Sequence, residues 1–224
     1  MEHKRLTLFA GHYGSGKTNI AVNYALFLAK TGKKVCIADL DIVNPYFRTK
    51  DSESELLAAG ISLISPQYAN TNVDLPALPA ESYRLVEDKS VYGVMDIGGD
   101  DRGAYALGRY VGKIKAEGDY RMAFVVNCYR PLTTTVSDTL EIMREIETAS
   151  GLNFTCIVNN SNIGTETDRD TVLKSLDFVK ELSRISGLPV WMHTATAAVA
   201  KTLPELSVFP LTLQKKYFDL PSDF

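Results

Sequence analysis

The 224-residue sequence has no run of about 18 apolar residues, the length a membrane-spanning helix needs. It opens Met-Glu-His-Lys-Arg and passes straight into an apolar stretch, without an apolar secretory signal. A cytosolic location is the expectation. Positive charge is not in excess: 24 Lys and Arg stand against 27 Asp and Glu, for a net charge of −3. There is therefore no basic field to signal nucleic-acid or membrane-surface binding. Cysteine is scarce. Cys36, Cys128 and Cys156 lie far apart and form no C-x-x-C pair, so they read as small buried hydrophobes rather than a disulfide framework or metal cluster. Repeats, low-complexity tracts and linkers are also lacking. One domain over residues 1–224 is expected, large enough to bury about 70% of its unfolded surface.

What is present centres on Gly11-His12-Tyr13-Gly14-Ser15-Gly16-Lys17-Thr18, which fits the pattern G-x-x-x-x-G-K-[ST] without a gap. Leu6–Ala10 before it reads as a buried strand, and Asn19–Thr31 after it as a helix stopped by Gly32. Glycines let such a loop curl until its N–H groups face a phosphate chain, and the following helix aims its positive end at the same anion. Lys17 is placed to reach the β- and γ-phosphates, and the Thr18 hydroxyl to bind magnesium. Asn19, which follows at once, is grouped with this nucleotide-binding stretch.

Further along, Val35–Ala38 reads as a second buried strand ending in Asp39-Leu40-Asp41. Two acids at the carboxyl end of a strand beside a phosphate loop lie where ligands bind in open α/β sheets. Burying two unpaired carboxylates is costly, so the pair is expected outside the strand. Asp41 is a candidate to orient a water or join the magnesium shell, and Asp39 for the latter. The alternative for both is a helix cap or solvated turn. Residues 52–59 read as a short helix and 61–64 as a short strand. Residues 65–79, with three prolines and many amides, read as a long loop, either a lid or partner-contact loop or an inert one.

Residues 81–88 read as a helix. Val91–Met95 is the next buried strand and delivers Asp96-Ile97-Gly98-Gly99. An acid at the end of an apolar strand, in a chain that already has a phosphate loop, suits a magnesium carboxylate. Gly99, having no side chain, is suited to bring its N–H close to a γ-phosphate. Helices are then expected over 103–115, 134–150 and 165–186, and strands over 121–127, 154–158 and 190–193. A short helix and an edge strand are expected beyond Lys201. Helices alternate with continuously apolar strands, which predicts a three-layer α/β/α fold around a mainly parallel sheet.

In order and spacing, Gly14-Ser15-Gly16-Lys17-Thr18, Asp39-x-Asp41 and Asp96-Ile97-Gly98-Gly99 resemble the ParA/MinD group of P-loop ATPases. That group sits in the class that also holds the nitrogenase iron protein, metal-centre maturation ATPases and the cobyrinic acid and dethiobiotin synthetases. Ile157-Val158-Asn159-Asn160 falls where the group reads the base. The resemblance implies ATP/ADP and Mg2+ as ligands, with Lys17 and Thr18 on phosphate and metal. It further implies Asp41 as the switch acid that orients the attacking water, Asp96 as the magnesium acid and Asn159 as the adenine contact. It also implies a nucleotide-dependent homodimer and a partner protein of unspecified identity. The chain departs from the group at His12, where a lysine normally crosses to the partner's nucleotide. An imidazole does not carry an ammonium's permanent charge. Arg48 and Arg102, each a few residues beyond a switch acid, are candidates to supply it.

The expected function is a slow, magnesium-dependent ATPase of regulatory or maturation type, in which hydrolysis changes dimer or partner state. The alternatives are a ligase or kinase of the synthetase type and a non-hydrolysing nucleotide sensor. An amide, Asn162, ends the stretch 159–162 where many GTPases place an acid against guanine, so ATP is expected over GTP.

Overall fold

Leu6–Ala10 (β1) is the strand from which the rest of the sheet is laid out. In the computed structural model, which describes residues 3–41, 49–65, 83–99 and 107–214, it is completely buried. Seven further strands join it: Val35–Leu40 (β2), Ser62–Ile64 (β3), Tyr92–Ile97 (β4), Tyr120–Val126 (β5), Cys156–Asn159 (β6), Val190–Thr196 (β7) and Val208–Leu211 (β8). Their order is β3-β2-β4-β1-β5-β6-β7-β8, and every pairing is parallel. A parallel sheet needs both faces covered, which explains the unbroken apolar runs read in the sequence.

Side chains alternate between the two faces. Leu6, Leu8, Met95, Ile97, Phe124 and Ile157 face one core, and Phe9, Ile37, Val94, Val125 and Val158 the other. Lys17–Lys30 (α1) closes the second face with Ile20, Ala21, Tyr24, Ala25 and Leu28. On that side Tyr24 and Phe9 meet edge to face, with ring centroids 5.6 Å apart, and Phe9 stacks on Trp191 at 6.1 Å. The first face is covered by Arg84–Glu87 (α3), Val111–Glu117 (α4), Val136–Ser150 (α5) and Leu176–Ser186 (α7). Glu53–Ala58 (α2), Arg169–Lys174 (α6) and Ala197–Ala200 (α8) complete the helices of the described residues. None of these helices is long and apolar enough to cross a membrane.

Several boundaries differ from the sequence reading. Helix α1 starts at Lys17, two residues earlier, because Gly16 in a left-handed conformation (φ 89°) serves as its cap. The single helix read over 165–186 is broken at Ser175, which is fully buried and whose hydroxyl donates to the Val172 carbonyl at 2.7 Å. Such local side-chain bonding competes with the helical ladder. Asp168 caps the first half, accepting from Thr171 N at 2.8 Å. The edge strand expected beyond Lys201 is β8, and the short helix lies just before it. Most of the proline-rich stretch 65–79 lies outside the described residues, as do Arg48, Asp100, Asp101 and Arg102.

Candidate nucleotide and magnesium site

The site forms where β1 meets α1, at the carboxyl ends of the central strands. The chain's connections change side here: β2, β3 and β4 lie to one side of β1 and β5 to β8 to the other. Ligand crevices form at such switch points in open α/β sheets. Gly11 ends β1 and is buried, and Ser15 N donates to the His12 carbonyl at 3.2 Å, closing the loop's turn. Tyr13 and Gly14 face solvent, and His12 is half-buried, with its Nδ1 3.1 Å from the Tyr13 carbonyl. Gly14 lies beside the Arg130 guanidinium: a Cβ built on it would stand 3.6 Å from Arg130 Nε.

Several glycines of the site are required by close approach: a Cβ on Gly11 would stand 2.2 Å from the Val125 carbonyl oxygen, the tightest of them. A Cβ on Gly16 would stand 2.3 Å from Asn160 Nδ2, and one on Gly99 would stand 2.8 Å from Tyr13 N and 3.0 Å from Lys17 Nζ. Gly99 therefore lets the chain leaving β4 lie directly against the phosphate loop.

Lys17 and Thr18 are both buried in the first turn of α1, and Lys17 Nζ donates to the His12 carbonyl at 3.4 Å. Facing them are the carboxylates. Asp39 and Asp96 are register partners on β2 and β4, so both project to the α1 side at the same level of the sheet. The structure corrects the expectation for Asp39, since β2 continues through it to Leu40, whereas Asp41 follows the strand's last residue as expected; both acids are buried. The cost is met locally. Asp39 accepts from the Asp41 N–H at 3.1 Å, and the pair lies at the positive amino end of α1.

Asp96 is completely buried. Desolvation pushes its carboxyl up to about 6, with the Asp41 charge adding to the rise, against the pull of Lys17 and of hydrogen bonds from Thr18 and Thr49. Its Oδ2 accepts from Thr49 Oγ1 at 3.2 Å, whereas its Oδ1 is buried without a hydrogen-bond partner. An unsatisfied buried oxygen is costly and asks for an occupant. A hard cation beside the Thr18 hydroxyl suits it. Among the described residues no group of three or more His, Cys, Asp or Glu forms a metal cage. Magnesium needs no such cage: it takes one or two carboxylates and completes its shell with phosphate oxygens and water. The Ser15 hydroxyl is likewise buried and unpartnered at the loop.

Asn159 is placed differently from its neighbour. Its side chain is buried on the far face, donating to Ser175 Oγ at 2.8 Å and lying 3.1 Å from His193 Nδ1, where burial lowers the imidazole's pKa. Asn160, one residue on and hence on the opposite face, reaches the phosphate loop. Its Nδ2 donates to the Ser15 carbonyl at 2.7 Å, and its Oδ1 accepts from Thr194 Oγ1 at 2.7 Å. Asn19 points along α1, where its Oδ1 accepts from Gln214 N at 3.2 Å. Sequence reasoning missed Asn160, although strand alternation carried the signal, and it missed Thr49, for which no local signal exists.

No protein-family model matches the chain, and no curated protein matches it in sequence. Solved structures do match in fold. Cell division protein FtsY from Thermotoga maritima superposes with a TM-score of 0.57 at 18% identity, over 84% of this chain and 60% of that one. FtsY from Mycoplasma mycoides gives 0.55 at 16% identity, over 84% and 58%. The signal recognition particle 54 kDa protein from Aeropyrum pernix K1, in complex with GDP, gives 0.50 at 16%, over 83% and 40%. The chain thus spans about 60% of the length of the first of these proteins. At such identities the likeness is one of fold. The fold is the α/β fold of P-loop NTPases.

Proposed function

We propose that the protein binds a magnesium–nucleoside triphosphate at Gly11–Thr18 and hydrolyses it slowly, with hydrolysis changing its dimer or partner state. The observation that supports this most is the buried, unpartnered Oδ1 of Asp96, set beside Lys17 and Thr18 at the amino end of α1. The phosphates lie in the loop's N–H groups with Lys17 on the β- and γ-oxygens. Asp96, Thr18 and Asp39 would hold a magnesium ion, which would supply neutralisation of charge at the phosphates. Asp41 orients and accepts a proton from the attacking water. Gly99 brings backbone to the γ-phosphate. The ParA/MinD resemblance supports a homodimer with the two nucleotides at its interface, ATP favouring it and ADP releasing it.

ATP is proposed over GTP, although the Aeropyrum neighbour was solved with GDP. Asn162 offers no paired charged acceptors to a guanine, and its amide is engaged internally, with Nδ2 donating to the Asn160 carbonyl at 2.7 Å and Oδ1 accepting from Gly164 N at 3.2 Å. The adenine is assigned to the wall formed by residues 160–162; Asn159, expected from the sequence as its contact, spends its amide on Ser175, His193 and the Ser161 N–H on the far face and is not proposed for that role. The test is turnover and light scattering of wild type and Asp41→Ala with ATP, ADP, GTP or nothing. The expected outcome is an Asp41→Ala protein that binds ATP, turns it over at least about 100-fold more slowly and stays dimeric in ATP. Wild-type turnover in the mutant, or a monomer in every condition, contradicts the proposal.

A further inference from the structure

Beyond β8 the chain does not leave the molecule's working end. Residues 212–214 cross α1 and are held there by an amide ladder. Asn23 bonds both backbone groups of Thr212, donating to its carbonyl at 2.9 Å and accepting from its N–H at 2.8 Å. Asn19, one helical turn earlier on the same face, accepts from Gln214 N. The Gln214 side chain then donates through Nε2 to Ser52 Oγ at 2.6 Å. Ser52 closes the short 3-10 turn Thr49–Ser52, whose first residue donates to Asp96. Thr49 is fully buried and Ser52 nearly so.

The turn is thus gripped at both ends, by the magnesium carboxylate through Thr49 and by residues 212–214 through Ser52. We propose that Gln214, with the Asn19–Asn23 ladder beneath it, is a positioning residue for the nucleotide site. It holds the Thr49–Ser52 turn so that Thr49 fixes Asp96 Oδ2 and leaves Oδ1 open toward the metal. The physical basis is that a hydroxyl at 3.2 Å on a buried carboxylate acts only if its backbone is held in place. A 3-10 turn of four residues has little rigidity of its own. The two anchors supply it, one from each side. The consequence is that a segment with no contact to the nucleotide sets magnesium affinity. Conversely, magnesium binding tightens residues 212–214, since coupling is reciprocal.

The inference rests on Asp96 as the magnesium carboxylate, and the test separates the two. Gln214→Ala, Ser52→Ala, Thr49→Val and the double variant Thr49→Val/Gln214→Ala are compared by amide hydrogen exchange over residues 49–58 without ligand, and by magnesium-dependent ATP binding. Each single variant is expected to speed exchange there and to weaken magnesium-dependent binding about fivefold, the size of one lost hydrogen bond. The double variant is expected to be no worse than Thr49→Val alone, because both changes cut one chain of contacts. Wild-type exchange and affinity in Gln214→Ala, or penalties that multiply in the double variant, overturn the coupling. If the wild type binds no nucleotide, the site assignment falls. The exchange arm alone then decides the coupling, by whether Gln214→Ala speeds exchange over residues 49–58.

Discussion

The two ends of the central strands treat a buried charge in opposite ways. At the amino ends Arg5, 6% exposed, is saturated. Its Nε and Nη2 donate to the Glu117 carboxylate, and its Nη1 donates to the carbonyls of Leu85 at 2.8 Å, Val91 at 2.9 Å and Asp88 at 3.2 Å. Burial works against ionising Glu117, but the bonds from Arg5 and Lys89 outweigh it and hold the carboxyl below its ordinary range. At the carboxyl ends Asp96 is more deeply buried and keeps one oxygen unmatched. A polar group fully satisfied by the fold belongs to stability. A buried carboxylate oxygen left open beside a phosphate loop is suited to a ligand.

The largest effect that sharpens this contrast is on Arg5. Arg5→Met removes one partner of a buried pair, leaving the Glu117 carboxylate to Lys89 alone and the Leu85 and Val91 carbonyls without the donor Arg5 gave them, so a loss of about 3–5 kcal/mol in urea unfolding is expected. A loss below about 1 kcal/mol breaks the comparison, because the amino-end charge is then no lock.

Asp96 gives the smaller effect with the opposite sign. Its carboxyl stands higher folded than unfolded, so the unfolded chain ionises first as pH rises. The folded state therefore loses stability through the window from about 4 to about 6 and stays penalised above it. In metal-free buffer Asp96→Asn is expected to be more stable than wild type by on the order of 2–3 kcal/mol above that window, with the gap closing below it. It is expected at the same time to lose magnesium-dependent binding. Thermal melts in chelator across this pH range check the first part. Equal stability at every pH contradicts the view that Asp96 is held at a cost.

How much of this was legible in the sequence follows from how far apart the partners lie. The phosphate loop, its strand and helix, and Asp96 at the end of β4 are written in contiguous residues, and each is where the sequence put it. The parallel sheet was legible too, because apolar runs without alternation leave few other folds. Asp39 was misplaced because its burial was judged on its own, without the amino end of α1 that lies against it. Thr49 on Asp96, Asn160 on Ser15 and Gln214 on Asn19 join residues 47, 145 and 195 positions apart. No local pattern marks such contacts. Only the strand order, which brings β2, β6 and the segment after β8 to the same loop and helix, makes them.

The central claim is that the loop, Lys17 and the open carboxylate form one magnesium–nucleotide site. Isothermal titration of ATP into wild type and Lys17→Ala, each with magnesium and with chelator, tests it most directly. The account predicts binding by wild type that weakens without magnesium. It predicts a loss of about 30-fold or more in Lys17→Ala, as expected for a charge-assisted contact that the loop backbone does not replace. Equal affinity in Lys17→Ala and wild type, whatever the magnesium, contradicts it.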